Sequence, residues 1–156
     1  MTKHPYTAEI IDAYYQLLAL DSDADKEKCW MAAHLSFVWP CLNTLQLHVL
    51  VYIAKHPDTN GKSIGRAMGL LPGTLSKITN RLRDAQLISI EPEHGDRRGR
   101  VYRGTARGNE VCDVHDRMHR IKDSRIEEML SAFSIDERRL LSRFLNDLLR
   151  IETLND

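Results

Sequence analysis

Six side chains within eight positions, Thr74, Ser76, Lys77, Thr79, Asn80 and Arg81, are hydrogen-bonding or cationic groups suited to the edges of bases and to phosphates. They alternate with Leu75, Ile78 and Leu82 at helical spacing, which predicts a helix over about 73–85 with one buried stripe. A second cluster, Asp96-Arg97-Arg98 with Arg100, puts three arginines near the end of a hairpin, where they suit a phosphate backbone or a minor groove. Asp96 is able to pin one of these arginines through a bidentate pair. A third cluster is Cys112, His115 and His119, at i, i+3 and i+7 of one helix. Its two histidines have the i, i+4 spacing with which one helix can hold two corners of a metal site. A solvated amphipathic helix, a solvated hairpin and surface histidines near Asp113, Asp116 and Asp123 would produce the same three patterns one by one.

The elements that must position these groups follow from the flanking residues. Lys62–Met68 has Ile64, Ala67 and Met68 at helical spacing, and Gly69 ends it by tolerating positive φ. Pro72 opens the next helix, where a missing N–H costs nothing. Leu87-Ile88-Ser89-Ile90 alternates as a strand, Glu91 to Arg100 reads as a basic loop, and Val101-Tyr102-Arg103 reads as the return strand. Helix, turn, helix and β-wing in that order make a shape that lies on DNA.

Upstream, residues 6–20 form an amphipathic helix, followed by an apolar stretch through Cys29, Trp30, Ala33, Phe37 and Val38 that Pro40 should end. Asn43 or Thr44 then caps a helix reaching about His56, with Leu47, Leu50, Val51 and Ala54 along one side. Pro57 to Gly61 is a turn. Downstream, a helix from Ala106 carries Val111, Val114, Met118, Ile121, Ile126, Met129 and Leu130. Ser134 with Glu137 is a capping box for a last helix bearing Leu140, Leu141, Phe144, Leu145, Leu148 and Leu149. The reading is one mainly α-helical domain over 1–156 with a small β-wing: a winged unit at 43–105 between helices at 6–38 and 106–153. Those outer helices carry more apolar surface than the winged unit covers, which a second copy would bury.

Composition bounds the partners. The 156 residues carry 22 Lys and Arg against 22 Asp and Glu, so total charge announces nothing. The distribution does: residues 61–104 hold nine basic and four acidic side chains, and both flanks are net acidic, a localised nucleic-acid footprint. The N-terminus lacks a signal-peptide pattern and no apolar run nears ~20 residues, so a cytoplasmic protein without a membrane span is expected. Three cysteines make no secreted-type framework.

The run from Gly61 to Arg103 resembles the MarR family of winged-helix transcription regulators. Asp96-Arg97-Arg98 matches that family's Asp-x-Arg wing motif, Thr105 and Gly108 its Thr-x-x-Gly, and Leu87-Ile88 its apolar pair before the wing. The likeness covers about residues 35–150. It departs at Gly104, where a leucine is usual, which predicts looser packing of the return strand, and at the acidic Glu91-Pro92-Glu93. The resemblance implies a homodimeric regulator, a repressor by type, whose terminal helices interlock and whose recognition helices meet a palindromic operator in double-stranded DNA about one turn (~34 Å) apart.

The resemblance also implies a signal. In zinc-sensing members of the adhesin-competence type, a histidine before the helix-turn-helix and an i, i+4 pair after the wing are ligands; His48, His115 and His119 match them. The fourth ligand has no clean match, leaving Asp25, Glu27, Cys29, Cys112 or water. Rival signals are a reactive thiol at Cys29 or Cys41, for which a buried, inert cysteine is the expectation, and a small aromatic or phenolic ligand in a cleft. No cofactor is required. An enzyme is excluded: His115-Asp116-Arg117-Met118-His119 only loosely resembles a zinc-hydrolase helix, its Asp being short for a general base, and no phosphate loop or nucleophile elbow is present. A winged helix serving only protein contacts is the alternative of another class.

Overall fold

The computed structural model describes residues 5–21 and 24–153; the side chains at 20, 21, 24, 25 and 96–98 lie outside that description. Among the described residues seven helices and three strands follow in the order α1 (Thr7–Asp21), α2 (Ala24–His34), α3 (Thr44–Lys55), β1 (Thr59–Asn60), α4 (Gly61–Met68), α5 (Pro72–Asp84), β2 (Ile88–Glu93), β3 (Asp96–Gly104), α6 (Ala106–Ser131) and α7 (Ile135–Thr153). The chain is mainly helical with one small antiparallel sheet, as expected. It divides into two compact units, residues 1–115 and 116–156, with the division inside α6.

The first unit holds the core. Leu47, Val49, Leu50 and Ile53 of α3, Ile64 of α4, and Leu75, Ile78 and Leu82 of α5 meet Leu87, Ile88, Tyr102, Val111, Cys112 and Val114. The expected face of α3 is shifted: Val49 and Ile53 are buried, while Val51 and Ala54 are half-buried. From Leu45 to Ala54 that helix is apolar at most positions, so helical periodicity does not choose a side. Asn43 caps it in a full capping box with Gln46.

α2 ends at His34, six residues before Pro40. The connector 35–43 is irregular and turns its residues both ways: Trp39 and Leu42 are buried while Val38 is 91% exposed. A helix would have set Val38 beside Leu42 on one face, so the connector gains two core anchors by breaking the pattern. Thr59-Asn60, expected as plain turn, pairs with Tyr102 and Val101 as a third strand, and Asn60 caps α4 by accepting the Ser63 N–H.

The sheet order is β1-β3-β2, so β3 is central. Its hairpin is longer and tighter than the sequence suggested. Glu93 stands opposite Asp96 across a two-residue turn, His94-Gly95, with Gly95 at φ 86°. One step along β2, from Glu93 to Pro92, then corresponds to four along β3, from Asp96 to Arg100. Arg97, Arg98 and Gly99 therefore occupy an irregularity of β3, behind the turn rather than at its tip. Pro92 sits on an edge strand, where a missing N–H is tolerated.

The join between α5, β2 and α6 is closely packed around Gly108. Gln86 takes a left-handed φ of 61° and Leu87 N–H bonds the Leu82 carbonyl while Gln86 N–H bonds that of Arg83, a Schellman end for α5 with glutamine in the glycine position. The Gln86 carbonyl accepts the Thr105 hydroxyl at 2.7 Å, and Thr105 Oγ1 accepts the Gly108 N–H at 3.1 Å. A Cβ on Gly108 would overlap the Leu87 carbonyl, which is the physical content of Thr-x-x-Gly. Gly104 does not loosen the return strand: a Cβ there would press on Asn109 and touch Ala54, so the glycine lets the end of β3 lie close to α3 and α6. Gly108→Ala should lower stability by about 1–3 kcal/mol through forced backbone displacement. Gly73→Ala, at an open helical position, should be neutral or stabilise by up to about 1 kcal/mol. Urea unfolding of the two variants checks the contrast.

Candidate nucleic-acid interface

On α5 the structure separates two faces. Leu75, Ile78 and Leu82 are buried, and Thr74, Ser76, Lys77, Asn80 and Arg81 are exposed. Thr79 is a correction. It is 2% exposed and its hydroxyl donates to the Ser76 carbonyl at 3.3 Å. Four residues after Leu75 and three before Leu82, it falls on the buried stripe by helical spacing, and its polar type hid this. It is not available to a ligand on the outer face.

The N-terminal end of α5 borders a cleft of about 460 Å³ shared with α4, where Lys62, Arg66 and Ser76 stand near Leu70, Pro72, Leu75 and the buried Tyr102. Lys62 and Arg66 were absent from the candidate set; their i, i+4 spacing on α4, just before the helix pair turns, was the signal available. α5 starts at an exposed Leu71 without a side-chain cap, so the cationic side chains of α4 and the N-terminal turn of α5 present one polar, positive rim.

The wing contributes unevenly. Arg100 is exposed opposite Pro92. The side chains of Asp96, Arg97 and Arg98 lie outside the described residues, so the expected Asp96–arginine pair has no geometry here. Arg103 is committed at the wing's base: it pairs with Asp58 and, at 3.2 Å, with Glu91, and these two carboxylates raise its affinity for its proton. The acidic departure at Glu91 thus has a structural partner. Arg83 pairs with Asp84 at 3.0 Å. Arg81 donates from Nη2 to the carbonyl of Pro40 at 2.7 Å.

The expected metal ligands are not assembled. His115 and Cys112 are buried, while His48, His119, Glu27 and Cys29 are exposed; Asp25 falls outside the described side chains. Among the described residues no group of three His, Cys, Asp or Glu is placed to hold a metal ion. The thiol expectation also changes: Cys29 and Cys41 are exposed, and only Cys112 is buried. No described helix is long and apolar enough to cross a membrane.

A three-stranded wing on a helix pair, with an exposed polar and cationic face on the second helix, defines a winged helix-turn-helix. Residues 42–99 match the model of the MarR family. It is 26% identical over 106 residues to the HTH-type transcriptional regulator PchR of Bacillus subtilis, covering 68% of this chain and 63% of that protein, so less than two thirds of the relative's length is matched. The transcriptional regulator ZitR of Lactococcus lactis is 25% identical over 107 residues, 69% of this chain and 73% of that one. The fold is shared with the crystal structure of Streptococcus pneumoniae FabT in complex with DNA, at TM-score 0.66, 18% identity and 94% and 97% coverage of the two chains. It is shared also with zinc-responsive ZitR, at TM-score 0.64, 20% identity and 90% and 97% coverage.

The placement of Thr79 is checked by stability. Thr79→Asn should cost about 1–3 kcal/mol, since a larger polar side chain must enter a packed core. Asn80→Thr, one position on and exposed, should stay within about 0.5 kcal/mol of the parent. Equal losses in a thermal melt would contradict the two-faced reading of α5.

Proposed function

We propose that the protein is a homodimeric DNA-binding transcription regulator, repressing by occupying a palindromic operator. The observation that carries this is the outer face of α5. Thr74, Ser76, Lys77 and Asn80 stand exposed over a buried stripe of Leu75, Ile78, Thr79 and Leu82, with Lys62 and Arg66 beside them. Hydroxyls and an amide read base edges in a major groove, and the cations hold phosphates on either side. Arg97, Arg98 and Arg100 on β3 would reach the backbone or the adjacent minor groove. FabT in complex with DNA supports the reading by its shared fold.

Dimerisation rests on α1 and α7, each considered alone. Ile10, Ile11, Leu17 and Leu18 are exposed on α1, and Leu140, Phe144, Leu145 and Leu149 on α7. A soluble monomer rarely keeps such rows in water. The protein should sediment as a dimer at micromolar concentration; a folded monomer there would remove this part of the proposal.

Duplexes selected by the protein from random sequence test the DNA part. Lys77→Ala and Arg100→Ala should each lower the salt slope of binding by about one if they meet phosphates. Arg98→Ala should weaken binding by about 1–3 kcal/mol if it enters a groove. Changes at Ser76 or Asn80 should alter the selected motif. If no duplex is enriched over background, the winged unit serves protein contacts instead.

For the signal, a divalent metal is favoured over a thiol or a phenolic ligand by the His115–His119 spacing on α6 and by the likeness to zinc-responsive ZitR. Zinc should change the affinity for a selected duplex in the parent and not in His119→Ala or His48→Ala, whose exposed sites spare the core. Equal response in all three would return the histidines to the surface.

A further inference from the structure

The connector 35–43 is tied at both ends by side chains from elements far along the chain. At its start, Glu110 of α6 accepts the Ser36 N–H at 2.6 Å through one carboxylate oxygen and the Ser36 hydroxyl at 2.8 Å through the other. Beside it, Arg107 of α6 lies over the Phe37 ring, 4.9 Å from its centroid, and donates to the Gln86 side chain at 2.9 Å. Near the other end, the Pro40 carbonyl accepts Arg81 of α5 at 2.7 Å. Between the ties the connector is stiffened by the buried side chain of Trp39, and just past Pro40 by that of Leu42.

We propose that this connector is a strap holding α5 at a set angle to the first turns of α6, and that Arg81 acts on DNA binding as a positioning residue rather than as a phosphate contact. The proposal rests on the DNA-binding reading. A charge-assisted bond to a carbonyl 41 residues away orients the guanidinium along α5 toward the connector, not outward from the helix. Glu110 fixes the opposite end with a carboxylate that makes both available bonds to one serine, and those bonds hold it ionised at lower pH than an ordinary glutamate. A displacement of the first turns of α6 therefore pulls on Ser36, and through Trp39 and Pro40 on the exposed half of α5. The strap, a backbone segment hydrogen-bonded at both ends, gives any signal received at α6 a route to the recognition face, with no ligand contact at the DNA surface.

The test uses the full-length protein and a duplex selected by it from random sequence. Arg81→Ala and Glu110→Gln are each expected to weaken binding about ten-fold, from the loss of one charge-assisted tie. The double variant should be no weaker than the weaker single one, because a strap cut once is already slack. Arg81→Lys, which keeps a donor, should recover most of the loss, and the salt slope should be unchanged in all four. A slope lower by about one in Arg81→Ala would make it a phosphate contact and overturn the proposal. So would multiplicative losses in the double variant, or full affinity in Glu110→Gln. Amide hydrogen exchange without DNA separates this from the function itself. If the parent selects no duplex, the DNA reading fails, and the strap stands only if Glu110→Gln speeds exchange in α5. Unchanged α5 exchange overturns it.

Discussion

The first unit depends on the carbonyls of Gln86 and Leu87. Helix α5 ends there, the wing begins there, and the helix after the wing starts against the same two peptide groups. The Leu87 carbonyl accepts the Thr105 N–H at 3.0 Å and leaves no room for a side chain at Gly108; the Gln86 carbonyl accepts the Thr105 hydroxyl. Three elements therefore share one junction built from backbone groups and the Thr105 hydroxyl, which leaves little room for exchanging side chains. A left-handed glutamine in place of glycine carries conformational strain, and its side-chain contact to Arg107 offsets part of it. The wing cannot swing independently of α5 or of the first turns of α6 without opening that junction.

Much of this was legible in the sequence because the punctuation was strong. Gly69, Pro72 and the Asn43 and Ser134 caps mark helix ends by backbone chemistry that tertiary packing seldom overrides. Thr105 and Gly108 were readable as a pair only through the family resemblance. The failures have one cause: each needed knowledge of a neighbour. Thr79 looks like a surface residue until the stripe it completes is known to face α4 and β2. The end of α2 at His34 depends on core sites for Trp39 and Leu42, and β1 exists only because β3 offers Thr59 and Asn60 an edge. The basic loop proved to be mostly strand, since its arginines are accommodated by a register irregularity that local pattern does not encode.

The candidate site was legible in kind and less so in detail. Side-chain type identified the polar outer face of α5, yet counting cations overstated what is offered. Among the described residues, Arg103 serves the sheet, Arg83 its neighbouring aspartate and Arg81 the connector. The histidines show the same limit. Sequence spacing put Cys112, His115 and His119 on one helical face, while packing buries the first two and leaves the third exposed.

The capture of Arg103 by Asp58 and Glu91 also shapes how the molecule finds a partner. A chain with equal numbers of acidic and basic side chains has almost no monopole, so a distant polyanion neither draws it in nor drives it off. Neutralising the base of the wing concentrates the remaining positive potential toward α4, the outer face of α5 and the far part of β3. What a polyanion exerts on such a charge distribution is mainly a torque, felt within about a Debye length, ~8 Å at physiological ionic strength. The encounter then begins as unbiased diffusion and ends in a short-range reorientation, and salt acts on the turning more than on the approach.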